Sequence, residues 1–150
     1  MKTQLSLLAT AAVLIMMGNP SFSQETRLLR QPAISANHIA FVYAGDVWTA
    51  ESDGKNPRRL TTHPGTEGNP YFSPDGKWIA FSAEYDGNND VFVVPVEGGE
   101  PRRLSWHPQA DIAKGWTPDG KHVLFASGRE NAPYPTSDRF WKVSPDGKGL

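Results

Sequence analysis

Leu60 to Leu104 reads LTTHPGTEGNPYFSPDGKWIAFSAEYDGNNDVFVVPVEGGEPRRL. Within it, Ser73-Pro74-Asp75-Gly76 places Ser first in a type I turn, Pro second where its fixed φ fits, and Gly last where a positive φ is expected. That turn separates two strands. Lys77 to Ala83 and Asp90 to Val96 are short runs rich in Val, Phe, Ile and Ala without a helical period, as expected of strands covered on both faces. Glu97-Gly98-Gly99-Glu100 then turns the chain into Arg102-Arg103-Leu104. The stretch predicts four antiparallel strands, over 69–73, 77–83, 90–96 and 101–105.

The same pattern recurs on both sides. Asp46-Val47 returns as Asp90-Val91, Pro57-Arg58-Arg59-Leu60 as Pro101-Arg102-Arg103-Leu104, His63-Pro64 as His107-Pro108, and Pro74-Asp75-Gly76-Lys77 as Pro118-Asp119-Gly120-Lys121, always at an offset of 44. Aligned without a gap, 46–83 and 90–127 are identical at 14 of 38 positions. Ile39-Ala40-Phe41 precedes Ile79-Ala80-Phe81 by 40, and Phe140-Trp141 follows Val91-Phe92 by 49, so the unit occurs three times with changed loop lengths. Four short antiparallel strands repeated every 40 to 50 residues are the mark of a β-propeller blade, whose small sheet is buried between neighbours.

The fold class expected is therefore all-β: a partial β-propeller of about three four-stranded antiparallel blades, preceded by a signal peptide. Blade 1 spans about 28–62, with its first turn shortened to Ser35-Ala36-Asn37, where Asn can take a left-handed conformation. Blade 2 spans about 69–105 and blade 3 about 111–150. The third strand of blade 3, Arg139 to Val143, leads into Pro145-Asp146-Gly147-Lys148, equivalent to Ser52-Asp53-Gly54-Lys55, and its fourth strand is expected beyond Leu150. Closed propellers have about four to eight blades, so these 150 residues read as the N-terminal part of a longer chain.

Composition agrees. The 14 Gly and 13 Pro suit many strands joined by tight turns. Fifteen Lys and Arg against 16 Asp and Glu leave a net charge of -1, which removes the electrostatic reason for a nucleic-acid partner. Cysteine is absent, excluding disulfides, thiolate metal sites and a thiol nucleophile. Lys2 and the apolar 13-residue run Leu5 to Met17 read as a secretory signal peptide over 1–23, cleaved after Ser21-Phe22-Ser23. An uncleaved anchor is the alternative; either way the remainder lies outside the cytoplasm, periplasmic or secreted, with no membrane span after cleavage.

The quoted unit and LSWHPQADIAKGWTPDGKHVLFAS (104–127) resemble the repeats of the TolB propeller and of the N-terminal propeller of tricorn-type peptidases. The resemblance covers Leu28 to Leu150. Its FSPDG core is shared across the superfamily, whereas IAFVYAGDVW, the HPG after RRLTT, and GWTPDGKHVLFAS are more selective and are most similar to the start of a secreted bacterial tricorn homologue. That resemblance implies a downstream PDZ-like domain and a processing-type serine peptidase domain, with the propeller gating or guiding peptides. TolB places an α/β domain before its propeller, and only Gln24 to Arg27 separate the expected cleavage site from blade 1.

No residue of this stretch is expected to be catalytic, cofactor-binding or metal-ligating, and no cofactor is expected. A Gly-x-Ser-x-Gly elbow, a His-Glu-x-x-His pair and a phosphate loop are missing. His63 and His107 are repeat-equivalent, and His38 and His122 share the place of Trp78; residues that recur in every blade meet a repeated structural need. Asp86-Gly87-Asn88-Asn89-Asp90 alternates oxygen ligands but lacks the later bidentate Glu of a calcium loop, so it reads as a hairpin turn. Arg58-Arg59 and Arg102-Arg103 are expected on solvated outer edge strands, where charge prevents edge-to-edge pairing. Trp48, Phe92 and Trp141 fall at one repeat position and are expected in the core between blades.

The function expected is the propeller portion of an exported tricorn-like serine peptidase, a substrate-access or peptide- and protein-binding scaffold. The alternative is a non-catalytic TolB-like protein-binding propeller of the periplasm. The partners expected are peptides or proteins, the rest of the propeller with the downstream peptidase domains, and a homo-oligomer of the full-length chain.

Overall fold

The computed structural model describes residues 28–129 and 138–148. Among these residues eleven strands form three antiparallel sheets in which chain order is spatial order. The first sheet holds β1 (Arg30–Ile34), β2 (His38–Tyr43), β3 (Asp46–Glu51) and β4 (Arg58–Arg59). The second holds β5 (Thr66–Phe72), β6 (Trp78–Glu84), β7 (Asn89–Pro95) and β8 (Arg102–Arg103). The third has three strands among the described residues: β9 (Asp111–Trp116), β10 (Val123–Ser127) and β11 (Arg139–Val143). The all-β propeller architecture read from the repeat is the one observed. The expected signal peptide lies outside the described residues.

Two strands differ from expectation. The innermost strand of the second sheet begins at Thr66 rather than Asn69, and the outermost contracts from five residues to Arg102–Arg103. The innermost strand is longer because it carries a bulge: Gly68 opposes Ser82 and Tyr71 opposes Ala80, leaving Asn69-Pro70 against a single residue. β1 bulges likewise at Gln31-Pro32, between Arg30 and Ala33, and β9 at Lys114. Proline fits a bulge because no ladder N–H is needed there. The outermost strand is short because its other edge meets solvent.

The sheets stack face to face. Ala40, Val47 and Leu60 of the first sheet meet Ile79, Phe81, Phe92 and Val94 of the second. The opposite face of the second sheet, with Ala80, Val91, Val93 and Leu104, meets Ala113, Val123, Phe125 and Val143 of the third. β6 and β7 are thus buried on both faces, which explains why their sequences lack polar alternation. In the first sheet Ala40 and Val42 are buried while Ile39, Phe41 and Tyr43 are half-exposed, so β2 alternates as a strand packed on one side does.

The turn chemistry follows the sequence closely. Gly76 donates its N–H to Ser73 O at 2.8 Å and has φ of 69°; Gly120 donates to Thr117 O at 2.8 Å with φ of 70°. Asp75 Oδ1 accepts from the Ser73 hydroxyl at 2.6 Å and from Lys77 N at 3.1 Å. Among the described residues the non-glycines in the left-handed region are Gln31, Ala44, Asn56 and Asn69, so the shortened blade 1 turn is made without a left-handed Asn37.

Candidate functional site

The junction between one blade and the next is built from four polar positions that repeat at 44. Asp46 and Asp90 stand at the start of the third strands, as first and second residue respectively, Arg59 and Arg103 end the fourth, Thr61 and Ser105 follow, and Glu67 and Asp111 stand on the innermost strand of the next blade. Asp46, Asp90, Glu67 and Asp111 are all buried. At the first junction Arg59 Nη2 donates to Asp46 at 2.8 Å, Val47 N donates to Thr61 Oγ1 at 2.9 Å, and Thr61 Oγ1 donates to Glu67 Oε2 at 3.1 Å. At the second, Arg103 Nη2 pairs with Asp90 at 2.5 Å, Val91 N donates to Ser105 Oγ at 3.0 Å, and Arg129 Nη2 pairs with Asp111 at 2.5 Å. Buried carboxylates require such partners.

Beside the exchanges of Thr61 for Ser105 and Glu67 for Asp111, the junctions differ in charge at one position: Tyr85 stands where the second has Arg129. Two buried acids at the first junction therefore share a single arginine, while the second supplies one arginine to each. Burial pushes Glu67 above the usual carboxylate range, opposed by the nearby Tyr85 and Thr61 hydroxyls, and Asp46 adds to the rise. Burial and the neighbouring Glu67 drive Tyr85 far above its ordinary value. Tyr85 stands close to Glu67, yet no well-formed hydrogen bond joins Tyr85 Oη to Glu67 Oε1, both buried and unpartnered. Burial also raises Asp90, opposed by Arg103.

The residues singled out in the sequence serve these junctions and their turns. His63 Nδ1 accepts from Gly65 N at 3.0 Å, and its ring lies 3.8 Å from that of Tyr85. His107 Nδ1 accepts from Gln109 N at 3.1 Å, the same clasp one blade on. His38 and His122 close first turns with their backbone N–H groups, which donate to Ser35 Oγ and Thr117 Oγ1. Among the described residues no group of three or more His, Asp or Glu is placed to hold a metal ion. In the Asp86 to Asp90 hairpin, Asp86 and Asp90 both pair with Arg103, and Asn88 Nδ2 donates to His107 O at 2.6 Å.

The arginine pairs do more than occupy solvated edges. Adjacent strand residues point to opposite faces, so the pair divides its work. Arg59 and Arg103 fold back onto the aspartates, whereas Arg58 Nη2 reaches Val96 O at 2.7 Å and Arg102 Nη1 reaches Pro145 O at 3.0 Å, each latching onto the following blade. Phe92 is core and Trp141 packs on the second core cluster. Trp48 departs from expectation: it is half-buried on the face of the first sheet turned away from the second, edge-on to Tyr43 at 5.8 Å. Each of the three aromatics faces the preceding blade, and none precedes Trp48 among the described residues.

A groove of about 720 Å³ opens between the first and second sheets where the first turns of both meet, bounded by Ile34, His38, Phe72, Asp75, Trp78 and Glu97. The equivalent space between the second and third sheets is about 240 Å³. The turn Ser35–His38 is two residues shorter than Ser73–Trp78, which leaves the first junction open at this end. This groove is the candidate binding site.

The sequence pattern of the tricorn protease N-terminal beta propeller domain matches residues 26–150. The chain belongs to that family. It is 33% identical over 69 residues to the Tol-Pal system protein TolB of Desulfosudis oleivorans, covering 43% of this chain and 16% of that one. It is 41% identical over 56 residues to tricorn protease homologue 2 of Streptomyces coelicolor, covering 37% and 5%. The crystal structure of the tricorn protease superposes with a TM-score of 0.69 at 24% identity, over 80% of this chain and 12% of that one. The chain thus spans a small part of the length of these relatives.

For this tricorn-family propeller, the junction network is the set of residues that sequence reasoning passed over. Its signal was present: Asp46 stands 13 before Arg59 and Asp90 stands 13 before Arg103, but a repeated spacing does not reveal that the two side chains meet. The bulges carried a signal as well, in Pro32 and Pro70 inside strand-like runs.

Proposed function

We propose that this chain is the propeller portion of an exported tricorn-like serine peptidase, acting as a substrate-access or peptide-binding scaffold for catalytic domains elsewhere in the protein. The observation that carries this reading is the tricorn N-terminal propeller pattern over 26–150. Export is supported by the apolar run Leu5 to Met17 with Ser21-Phe22-Ser23 after it. His63 and His107 clasp turns and the buried acids are engaged with arginines or buried hydroxyls, which suits a scaffold rather than a reacting centre.

The test is hydrolysis. The full-length gene product should cleave unstructured peptides and lose that activity to a serine-directed fluorophosphonate, while residues 24–150 alone cleave none. Recovered from the periplasm, the protein should begin at Gln24. The TolB-like similarity favours a second reading, a non-catalytic binding propeller. A full-length product that captures an envelope protein and cleaves no peptide would decide for it.

A further inference from the structure

The two faces of each sheet carry different residues, and one of them recurs three times. It sets Phe41 opposite Trp48 in the first sheet, Phe81 opposite Phe92 in the second and Phe125 opposite Trp141 in the third. An aliphatic pair adjoins each: Ile39 with Ala50, Ile79 with Val94, and Val123 with Val143. In the second and third sheets the preceding blade covers this face, and Phe81 and Phe125 are fully buried. In the first sheet Ile39, Phe41 and Trp48 are half-exposed.

The two covered copies show what fits. Ala40, Val47 and Leu60 pack on the second sheet, and the repeat-equivalent Ala80, Val91 and Leu104 pack on the third. Small and β-branched side chains leave room for the aromatic pair. A latch accompanies each contact: Arg58 donates to Val96 O and Arg102 to Pro145 O, both arginines standing two residues before the leucine. Ser52 holds the place of Val96 in the first sheet, since Ser52 N donates to Asn37 O as Val96 N donates to Lys77 O. Among the described residues the latches onto a following blade are those two, and Ser52 O receives none.

A second copy of this chain fits poorly. Its third sheet offers Leu124 where Ala40 and Ala80 stand, Phe140 where Val47 and Val91 stand, and Lys142 where Thr49 and Val93 stand. Those larger groups would crowd the aromatic pair, and a lysine ammonium would be buried without a partner. We propose that this face of the first sheet docks a further blade supplied by the rest of the full-length chain. The occupant presents Ala and Val from its two middle strands and Leu after its outermost strand. An arginine two residues before that leucine donates to Ser52 O. The inference rests on the propeller reading and is independent of catalysis.

Two independent measurements on the full-length gene product check this, and either decides if the other variant does not fold. The thiol introduced by Ile39→Cys, followed by mass spectrometry of its peptide, should react with a maleimide at least about a hundredfold more slowly in the native protein than in urea. The thiol introduced by Lys77→Cys, at an exposed turn, should react equally fast in both. Benzoylphenylalanine in place of Phe41 should crosslink on irradiation to a repeat unit beyond Leu150 that carries Arg-x-Leu. In a mixture of light and isotope-labelled protein the crosslinked peptides should be of one isotope only. Fast native labelling of Ile39→Cys, mixed-isotope crosslinks, or a crosslinked unit without that spacing overturns the proposal. A reactive thiol with peptide hydrolysis intact would sink this inference alone, and a protected thiol without hydrolysis would sink the peptidase reading alone.

Discussion

Gly76 and Gly65 show two different reasons for a glycine. At Gly76 a β-carbon would have room, meeting only Ser35 at 3.9 Å, but φ is 69°. Its cost is conformational, so Gly76→Val should destabilise by about 1–3 kcal/mol in chemical denaturation, while exposed Lys77→Ala stays near neutral. Equal effects would mean that the turn does not require a left-handed residue. At Gly65 the backbone is ordinary, but a β-carbon would run into the Glu84 carbonyl oxygen. Gly65→Ala therefore forces the linker between sheets away from β6, and we expect a loss of about 2 kcal/mol or more, of the kind seen for overpacking. A melting temperature unchanged from the parent would show that the linker yields freely.

At the scale of the paired elements, the two junctions form a controlled comparison. Asp111 is fully buried and Arg129 nearly so, with the guanidinium also lying over the Phe125 ring at 5.0 Å. Arg129→Ala leaves a buried charge without its partner and should cost about 3 kcal/mol. Arg59 is 44% exposed, and solvent screens its pair with Asp46, so Arg59→Ala should cost about 1 kcal/mol. Urea denaturation of both variants checks the order, and a reversal would assign the stabilising pair to the wrong junction. The first junction also responds to pH. Burial lets folded Glu67 keep its proton above the ordinary 4.5, facing Asp46, Arg59, Thr61 and Tyr85. The native chain then binds more protons than the unfolded one above that pH, so stability present below 4.5 is lost as pH rises through the raised value. Glu67→Gln removes this decline, although Asp90, raised in the same direction, retains its share. Denaturation midpoints between pH 4.5 and 8 should fall less in the variant. Identical slopes would mean that Glu67 is ionised in the folded state. Asp75 and Asp119 act with the opposite sign, lowered by Ser73 and Thr117, and their contribution fades as pH falls below 3.8.

Across the whole molecule, the described residues leave apolar surface at both ends of the stack. Ile34 and Phe140 are each 76% exposed, and Ile39, Phe41, Tyr43 and Trp48 are half-covered on the outer face of the first sheet. Contiguous apolar surface of this kind drives association. Residues 24–150 by themselves should self-associate in light scattering and unfold over a broad range. Ile34→Lys together with Phe140→Lys should reduce the association. A monodisperse, cooperatively melting 127-residue parent would show that three sheets bury enough apolar surface to stand alone.

The local parts of this fold were legible from the residues themselves. Ser73-Pro74-Asp75-Gly76 fixes its turn through φ preferences and a hydroxyl that reaches two residues on, and the offset of 44 identifies the blade, because both depend on neighbours along the chain. The repeat also set Asp46 and Arg59 at the same spacing as Asp90 and Arg103, without showing their pairing. That Arg58 latches the next blade while Arg59 turns back depends on how one sheet packs on another. So does the contrast between a buried Phe92 and a half-exposed Trp48 at one repeat position. The groove was foreshadowed by the short Ser35–His38 turn, but its width depends on where Phe72, Trp78 and Glu97 stand across the junction. Neighbouring blades, not neighbouring residues, set those distances, and a side chain's burial is a property of what faces it.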